Sequence, residues 1–162
     1  MPDVICDTSP LQYLHQLELL HVLPALAKQI IVPPAVLDEV AVGRAAGVIL
    51  PDLAHLAYIA VRHPKAESAL PLVSDLGPGE TEVLMLGLEL RDSIVILDDA
   101  LGRRIAEALA LKFTGTLGLL LDAKRCGLIP SIRPLLDQLQ DLRFRLSLPT
   151  RQAILQLAGE ER

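Results

Sequence analysis

Aromatic side chains are almost missing from this 162-residue chain: Tyr13, Tyr58, Phe113 and Phe144 are all of them, and there is no Trp. The core must therefore be built from Leu, Ile, Val and Ala, in a chain that is 51% hydrophobic with a mean hydropathy of +0.43. So much aliphatic side chain is expected to leave some apolar surface in an interface between subunits, and a homodimer is the expected state. Long apolar runs are missing too. No window approaches the roughly 18 uncharged apolar residues of a membrane span, so no membrane partner is expected. The N-terminus has an acid at Asp3 and no Lys or Arg before Lys28, unlike a secretory signal. Cysteine is scarce, and Cys6 and Cys126 have neither a metal-ligand spacing nor the pattern of a disulfide framework. These absences predict a reduced, cytoplasmic protein of one main domain, a size that buries a substantial core.

Several catalytic signatures are absent as well. There is no GxxxxGK[ST] and no Gly-rich dinucleotide fingerprint, and "GPGE" at Gly77 is too short for a phosphate loop. No HExxH occurs, and His15, His21, His55 and His63 lack metal-ligand spacing, which fits surface or satisfied core residues. No Ser sits in a GxSxG elbow, so a hydrolase triad has no support.

What is present is an alternation of apolar runs and helical patterns. The runs are "VIC" at Val4, "IIV" at Ile30, "AYIAV" at Ala57, "IVIL" at Ile94 and "KFTG" at Lys112. A helical segment with Leu11, Leu14, Leu17 and Leu20 follows the first run, and "PAVLDEVAVG" follows the second, with a stop expected at Gly43. Further helices are expected near Pro78, over "DALGRRIAEALAL", over "TLGLLLDAKRCGL" and over "SIRPLLDQLQDL", while "VRHPKAESALP" reads as an exposed excursion. Alternation of this kind predicts βαβ units and a three-layer α/β/α fold with a central, mainly parallel sheet. Uninterrupted rather than alternating apolar runs fit strands buried on both faces. The main domain is expected over residues 1–148, with a C-terminal helical extension over 149–162.

Charge is uneven along the chain. Residues 1–90 carry 4 Lys/Arg against 11 Asp/Glu, whereas residues 91–162 carry 11 against 9. Between Ala100 and Arg145 there are 8 basic residues against 4 acidic ones. A basic stretch beside an acidic cluster is what a phosphate-cleaving site needs, although a solvated helical surface explains most of these side chains taken singly.

In open α/β sheets the site lies beyond the carboxyl ends of the strands. There the first run ends in Asp7 and the fourth in Asp98 and Asp99, and Glu39 in "LDEV" and Glu80 in "GPGE" can reach the same crevice from helices. Each acid also has a plainer reading. Asp7, Ser9 or Asp99 could cap a helix, Glu80 and Glu82 lie where a helix dipole favours negative charge, and the helical wheel does not separate Glu39 from Asp38. As a set they are harder to explain away. Two carboxylates 4 Å apart repel by about 4 kcal/mol at an effective dielectric near 20, against a typical folding stability of about 5–15 kcal/mol. A cation relieves this, and all-oxygen ligands point to Mg²⁺ or Mn²⁺, whose usual chemistry in such a site is phosphodiester hydrolysis or phosphoryl transfer.

The ordered stretches "VICDTSPLQYL", "IIVPPAVLDEV", "LGPGETEVLMLGLEL", "IVILDDALGRRIAEALAL" and "TGTLGLLLDAKRCGLI" resemble the PIN-domain nucleases, the family of the VapC toxins. They resemble most a prokaryotic PIN-like subgroup that shares the "GTLG" and "AKR.GLI" stretches. The resemblance implies a three-layer fold, Mg²⁺- or Mn²⁺-dependent cleavage of RNA, frequent dimers and, for toxin members, a small antitoxin partner. It implies Asp7, Glu39, Glu80 and Asp98 as catalytic acids, with Asp7, Asp98, Asp99 and Glu80 around the metal. Thr8, Ser9 and Thr116 become candidates to hold a phosphate or a water on the metal. Arg103, Arg104, Lys124 and Arg125 become candidates for the RNA backbone. Three departures stand out: Ile96 replaces a frequent Thr or Ser, Glu80 stands where an Asp is common, and Glu82 could compete with it.

The expectation is thus a metal-dependent ribonuclease, as the toxin of a toxin–antitoxin pair. A catalytically weak PIN-like binding module for nucleic acid or protein is the alternative. A phospho-acceptor domain ranks last, because its paired acids usually follow the first strand. Relief of like-charge repulsion further predicts that Asp98→Asn leaves the metal-free fold intact or slightly more stable.

Overall fold

The computed structural model describes residues 2–65 and 75–161. Its centre is a five-stranded, all-parallel sheet in the order β3-β2-β1-β4-β5, formed by β1 (Asp3–Cys6), β2 (Gln29–Val32), β3 (Ile59–Val61), β4 (Ile94–Ile96) and β5 (Phe113–Thr114). Val4, Ile5, Cys6, Ile30, Ile31, Val32, Val95 and Ile96 are all buried, as expected of strands covered on both faces. Burying each large aliphatic side chain stabilises the fold by about 1.5–3 kcal/mol, which lets a core nearly free of aromatics hold.

Helices α3 (Pro34–Ala45), α4 (Pro78–Glu89) and α5 (Ala100–Ala108) pack in succession, α4 against β1 and β4 and α5 against β5. Helices α2 (Val22–Leu26) and α6 (Thr116–Arg125) pack together on β2 and β5, with α8 (Leu148–Leu157) against α6. Helix α1 (Thr8–Gln16) touches both α3 and α6, and α7 (Arg133–Asp141) precedes α8. This is the expected three-layer α/β/α architecture. Among the described residues, no helix is long and apolar enough to cross a membrane.

Two boundaries differ from the sequence expectation. The first helical segment does not run through to Leu20. It ends at Leu17, where Glu18 takes a positive φ of 59°, and α2 follows as a separate helix. Leu17 and Leu20 are still buried, so the apolar spacing reports burial across a turn, not one continuous helix. Likewise α3 passes through Gly43 and ends at Ala45, with the turn at Gly47 taking a φ of +90° that only glycine adopts freely. Of the expected excursion, residues 66–71 lie outside the described residues, and Val61, Arg62, His63 and Lys65 are exposed.

The C-terminal segment is fastened to its own chain. Glu160 accepts from Lys124 Nζ (2.8 Å) and from the backbone N–H groups of Ile132 (2.7 Å) and Arg133 (3.1 Å), while Arg133 donates to the Glu160 carbonyl (2.7 Å). Burial pushes the Glu160 carboxyl up, but the bonds from Lys124, Ile132 and Arg133 outweigh it and hold the group below its usual range. Glu160→Ala is expected to lower stability by about 2 kcal/mol, read as a fall in Tm of roughly 6 °C.

The sheet order places a topological switch point between β1 and β4: the chain winds outward from β1 through β2 to β3, then returns to β4 on the other side of β1. The crevice beyond the carboxyl ends of these two strands is where such sheets bind ligands. The Asp7 N–H donates to the Ile96 carbonyl at 2.9 Å, which continues the ladder and brings Asp7 alongside the segment leading to Asp98.

Candidate active site

Asp7 stands at the N-cap position of α1, yet its side chain makes no capping hydrogen bond. The side chain is buried, with the residue only 3% exposed, and its Oδ1 has no hydrogen-bond partner. Burial, then the charge of Glu80, and then those of Glu39 and Asp98 raise its carboxyl to about 8, against a lowering hydrogen bond from the Thr8 backbone. A buried carboxyl group with one oxygen unpartnered costs free energy, and without a side-chain capping bond the helix-cap reading of Asp7 fails. The neighbouring Cys6 thiol, fully buried, is pushed up by burial and by the Asp7 and Asp98 charges and stays protonated.

Asp98, by contrast, is fully engaged. Its Oδ1 accepts from the Thr116 N–H at 2.8 Å, and its Oδ2 accepts from Thr116 Oγ1 at 2.7 Å and Ser9 Oγ at 3.3 Å. It thereby closes the N-terminus of α6 from a distant strand and ties α1 to the same point. Asp99 accepts from the Gly102 N–H at 2.7 Å and caps α5, the plainer of its two readings.

Three acids come from α3 and α4. Glu39 is half-buried while Asp38 is exposed, which resolves the ambiguity of the helical wheel. Glu39 Oε2 accepts from Thr8 Oγ1 at 2.7 Å and Oε1 from the Gly79 N–H at 3.0 Å. Glu80 is half-buried in the first turn of α4. Burial raises its carboxyl, Glu39 and Asp99 add to the rise, and backbone hydrogen bonds at Glu80 itself and Gly77 pull the other way. Glu82 does not share this crevice role. Its carboxylate accepts from the Ala35 N–H at 2.9 Å and caps α3.

The cations divide into two groups. The Arg103 guanidinium lies over the Phe113 ring, 5.3 Å from its centroid, and reaches the space beside Gly115 that Asp98 Oδ1 also borders. Arg104 is exposed on the same helix. Lys124 and Arg125 sit at the far end of α6 from Thr116, about 12 Å along the axis. Lys124 binds the Ala158 carbonyl and Glu160, and Arg125 approaches Asp122 at 3.5 Å, so the structure does not bring these two to the acids.

Two residues escaped the sequence reading. Tyr13, one turn after Ser9 on α1, has its hydroxyl pKa raised by burial and by the Asp98 charge, and its ring packs edge-on to Phe144 at 4.9 Å. Its i+4 spacing from Ser9 was the available signal. Gly79 is the other, and a glycine inside the first turn of a helix was its signal. An apolar cavity between α2 and α6, floored by Val4, Ile94 and Ile96, contains none of the four acids.

Among the described residues, no three His, Cys, Asp or Glu side chains stand arranged to enclose a metal ion. The donor chemistry still suits Mg²⁺, which keeps several waters and takes only one or two protein carboxylates. The partnerless Oδ1 of Asp7 among three further carboxylates is the atom such a cation would satisfy.

Fold and site together define a doubly wound α/β/α domain with its carboxylates gathered at the switch point. A family model described as "DUF3368: PIN domain" matches residues 3–160, and the chain belongs to this PIN-domain family. PIN domains are generally nucleases that use divalent metals. No curated protein matches the sequence.

Proposed function

We propose that this protein is a divalent-metal-dependent endoribonuclease, the cytoplasmic toxin of a toxin–antitoxin pair. The observation that carries the catalytic part is the buried Asp7 carboxyl group with a partnerless oxygen, faced by Glu80, Glu39 and Asp98. Asp7 and Asp98 would hold Mg²⁺ or Mn²⁺, with Glu80 and Asp99 at its edge. A divalent cation supplies an activated water and neutralises charge on the attacked phosphate.

The chain's own groups do the rest. Thr116 and Ser9 orient Asp98 through the hydroxyls already bonded to it. Arg103, and Arg104 beside it, would meet the RNA backbone, since guanidinium groups pair well with phosphate. Exposed apolar side chains support a homodimer or an antitoxin contact, notably Val42 (69% exposed) and Ile49 (66%).

The test is calorimetric titration of Mn²⁺ into the parent and into the Asp7→Asn/Asp98→Asn double variant, with an RNA cleavage assay in the same buffer. Saturable binding and cleavage, both lost in the variant, are expected. Binding without cleavage would favour the non-catalytic binding-module reading, and no binding would overturn the metal site.

A further inference from the structure

We propose that Glu39 is a positioning residue for the Asp7 and Glu80 pair, and that Gly79 is the seat that allows it to act; the inference rests on the metal-site reading above. Both carboxylate oxygens of Glu39 are already engaged by the protein, one by Thr8 Oγ1 at 2.7 Å and the other by the Gly79 N–H at 3.0 Å. The two donors are the chain neighbours of the two acids that matter most to each other. Thr8 follows Asp7, Gly79 precedes Glu80, and Glu80 is the strongest charge acting on Asp7. The Glu39 carboxylate therefore bridges the start of α1 to the start of α4 and sets how far apart Asp7 and Glu80 stand.

The seat demands glycine for reasons of space. A Cβ on Gly79 would lie 2.6 and 2.7 Å from the two Glu39 oxygens and 2.9 Å from its Cδ, closer than real side chains come. Any side chain at residue 79 requires the Glu39 carboxylate to shift from the position in which it accepts from the Gly79 N–H. The position itself suits an anion, because the first N–H groups of a helix lack intrahelical partners and its dipole favours negative charge there. This explains the otherwise unhelpful glycine in "GPGE": it is not a phosphate loop but the socket for a carboxylate from another helix.

The test separates charge from geometry. Glu39→Gln removes the charge but keeps the bridge, since the amide oxygen accepts from Gly79 and the amide nitrogen donates to Thr8 Oγ1. Gly79→Ala keeps the Glu39 charge but displaces the carboxylate from its seat. By Mn²⁺ calorimetry, Glu39→Gln is expected to stay within about threefold of the parent Kd, while Gly79→Ala weakens binding by more than about tenfold, the range seen when outer-shell partners of a metal site are lost. Thr8→Val, which removes one donor at nearly constant volume, serves in its place if Gly79→Ala does not fold. A Glu39→Gln protein that loses Mn²⁺ as completely as Asp7→Asn, or a Gly79→Ala protein that binds like the parent, overturns the proposal. If the parent itself takes up no Mn²⁺, the metal reading fails and metal-free melting decides the bridge alone. Gly79→Ala must then lower Tm by at least about 5 °C, where Glu39→Gln lowers it by less than about 2 °C; equal falls overturn it.

Discussion

Asp7→Asn is expected to abolish metal-dependent RNA cleavage and, in the same molecule, to stabilise the metal-free fold at neutral pH. The loss of cleavage should exceed the roughly 100-fold that removal of an outer-shell partner costs a metal site. The gain in stability follows from the folded-state carboxyl near 8, raised from an ordinary value of 3.8 by burial and by Glu80, Glu39 and Asp98. Between about pH 4 and pH 8 the metal-free folded protein holds a proton on Asp7 that the unfolded chain releases. Its stability therefore falls as pH rises through that window, by up to about 1.4 kcal/mol per pH unit. Below the window both states are protonated and the penalty vanishes. Asn has no such titration, so from pH 5 to pH 8 in chelator the variant should lose less Tm than the parent, whose Asp7 adds to the smaller contribution of the raised Glu80 carboxyl. Saturating Mn²⁺ at pH 8 should raise the parent's Tm and leave the variant's unmoved. Parallel pH profiles for the two proteins would show that Asp7 is not the buried acid described above.

Asp98 is the second large effect, with the opposite sign on stability. Asp98→Asn is also expected to end cleavage. It should destabilise the fold by about 1 kcal/mol, because neutral hydrogen bonds replace charge-assisted ones about twice as strong. Asp98→Ala should cost about 2–3 kcal/mol, because it leaves the Thr116 N–H and hydroxyl at the start of α6 without their acceptor. Urea unfolding in chelator at pH 7 reads both. Neutralising Asp98 therefore brings no relief of repulsion that outweighs the bonds it weakens. Three donors from Thr116 and Ser9 converge on Asp98, whereas the buried Oδ1 of Asp7 has none. Relief of repulsion belongs to Asp7.

The contrast between these two acids marks the boundary of what the chain alone reveals. Both end an apolar strand, and both stand where a helix cap is plausible. Asp99 turned out to be such a cap, and Glu82 became one for a helix in a different segment, with Ala35 as its donor 47 residues away. Nothing local distinguishes them, because a carboxylate's role depends on which donors reach it, and those donors come from elsewhere in the chain. The same holds for Lys124, which stands in a basic stretch but spends its charge on Glu160.

What the sequence determined by itself was the architecture and the gathering of acids. Uninterrupted Val and Ile runs fit strands covered on both faces, intervening helical patterns fit parallel crossovers, and parallel strands carry their terminal acids to one edge of the sheet. Only the tertiary structure decided which acid has both oxygens partnered and which keeps one bare. It showed that Glu39 is clasped by Thr8 and Gly79, and that α6 turns Lys124 and Arg125 away from the crevice. The physical reason is range: strand and helix preferences are written in neighbouring residues, whereas desolvation and hydrogen-bond satisfaction depend on residues that meet only after the chain has folded.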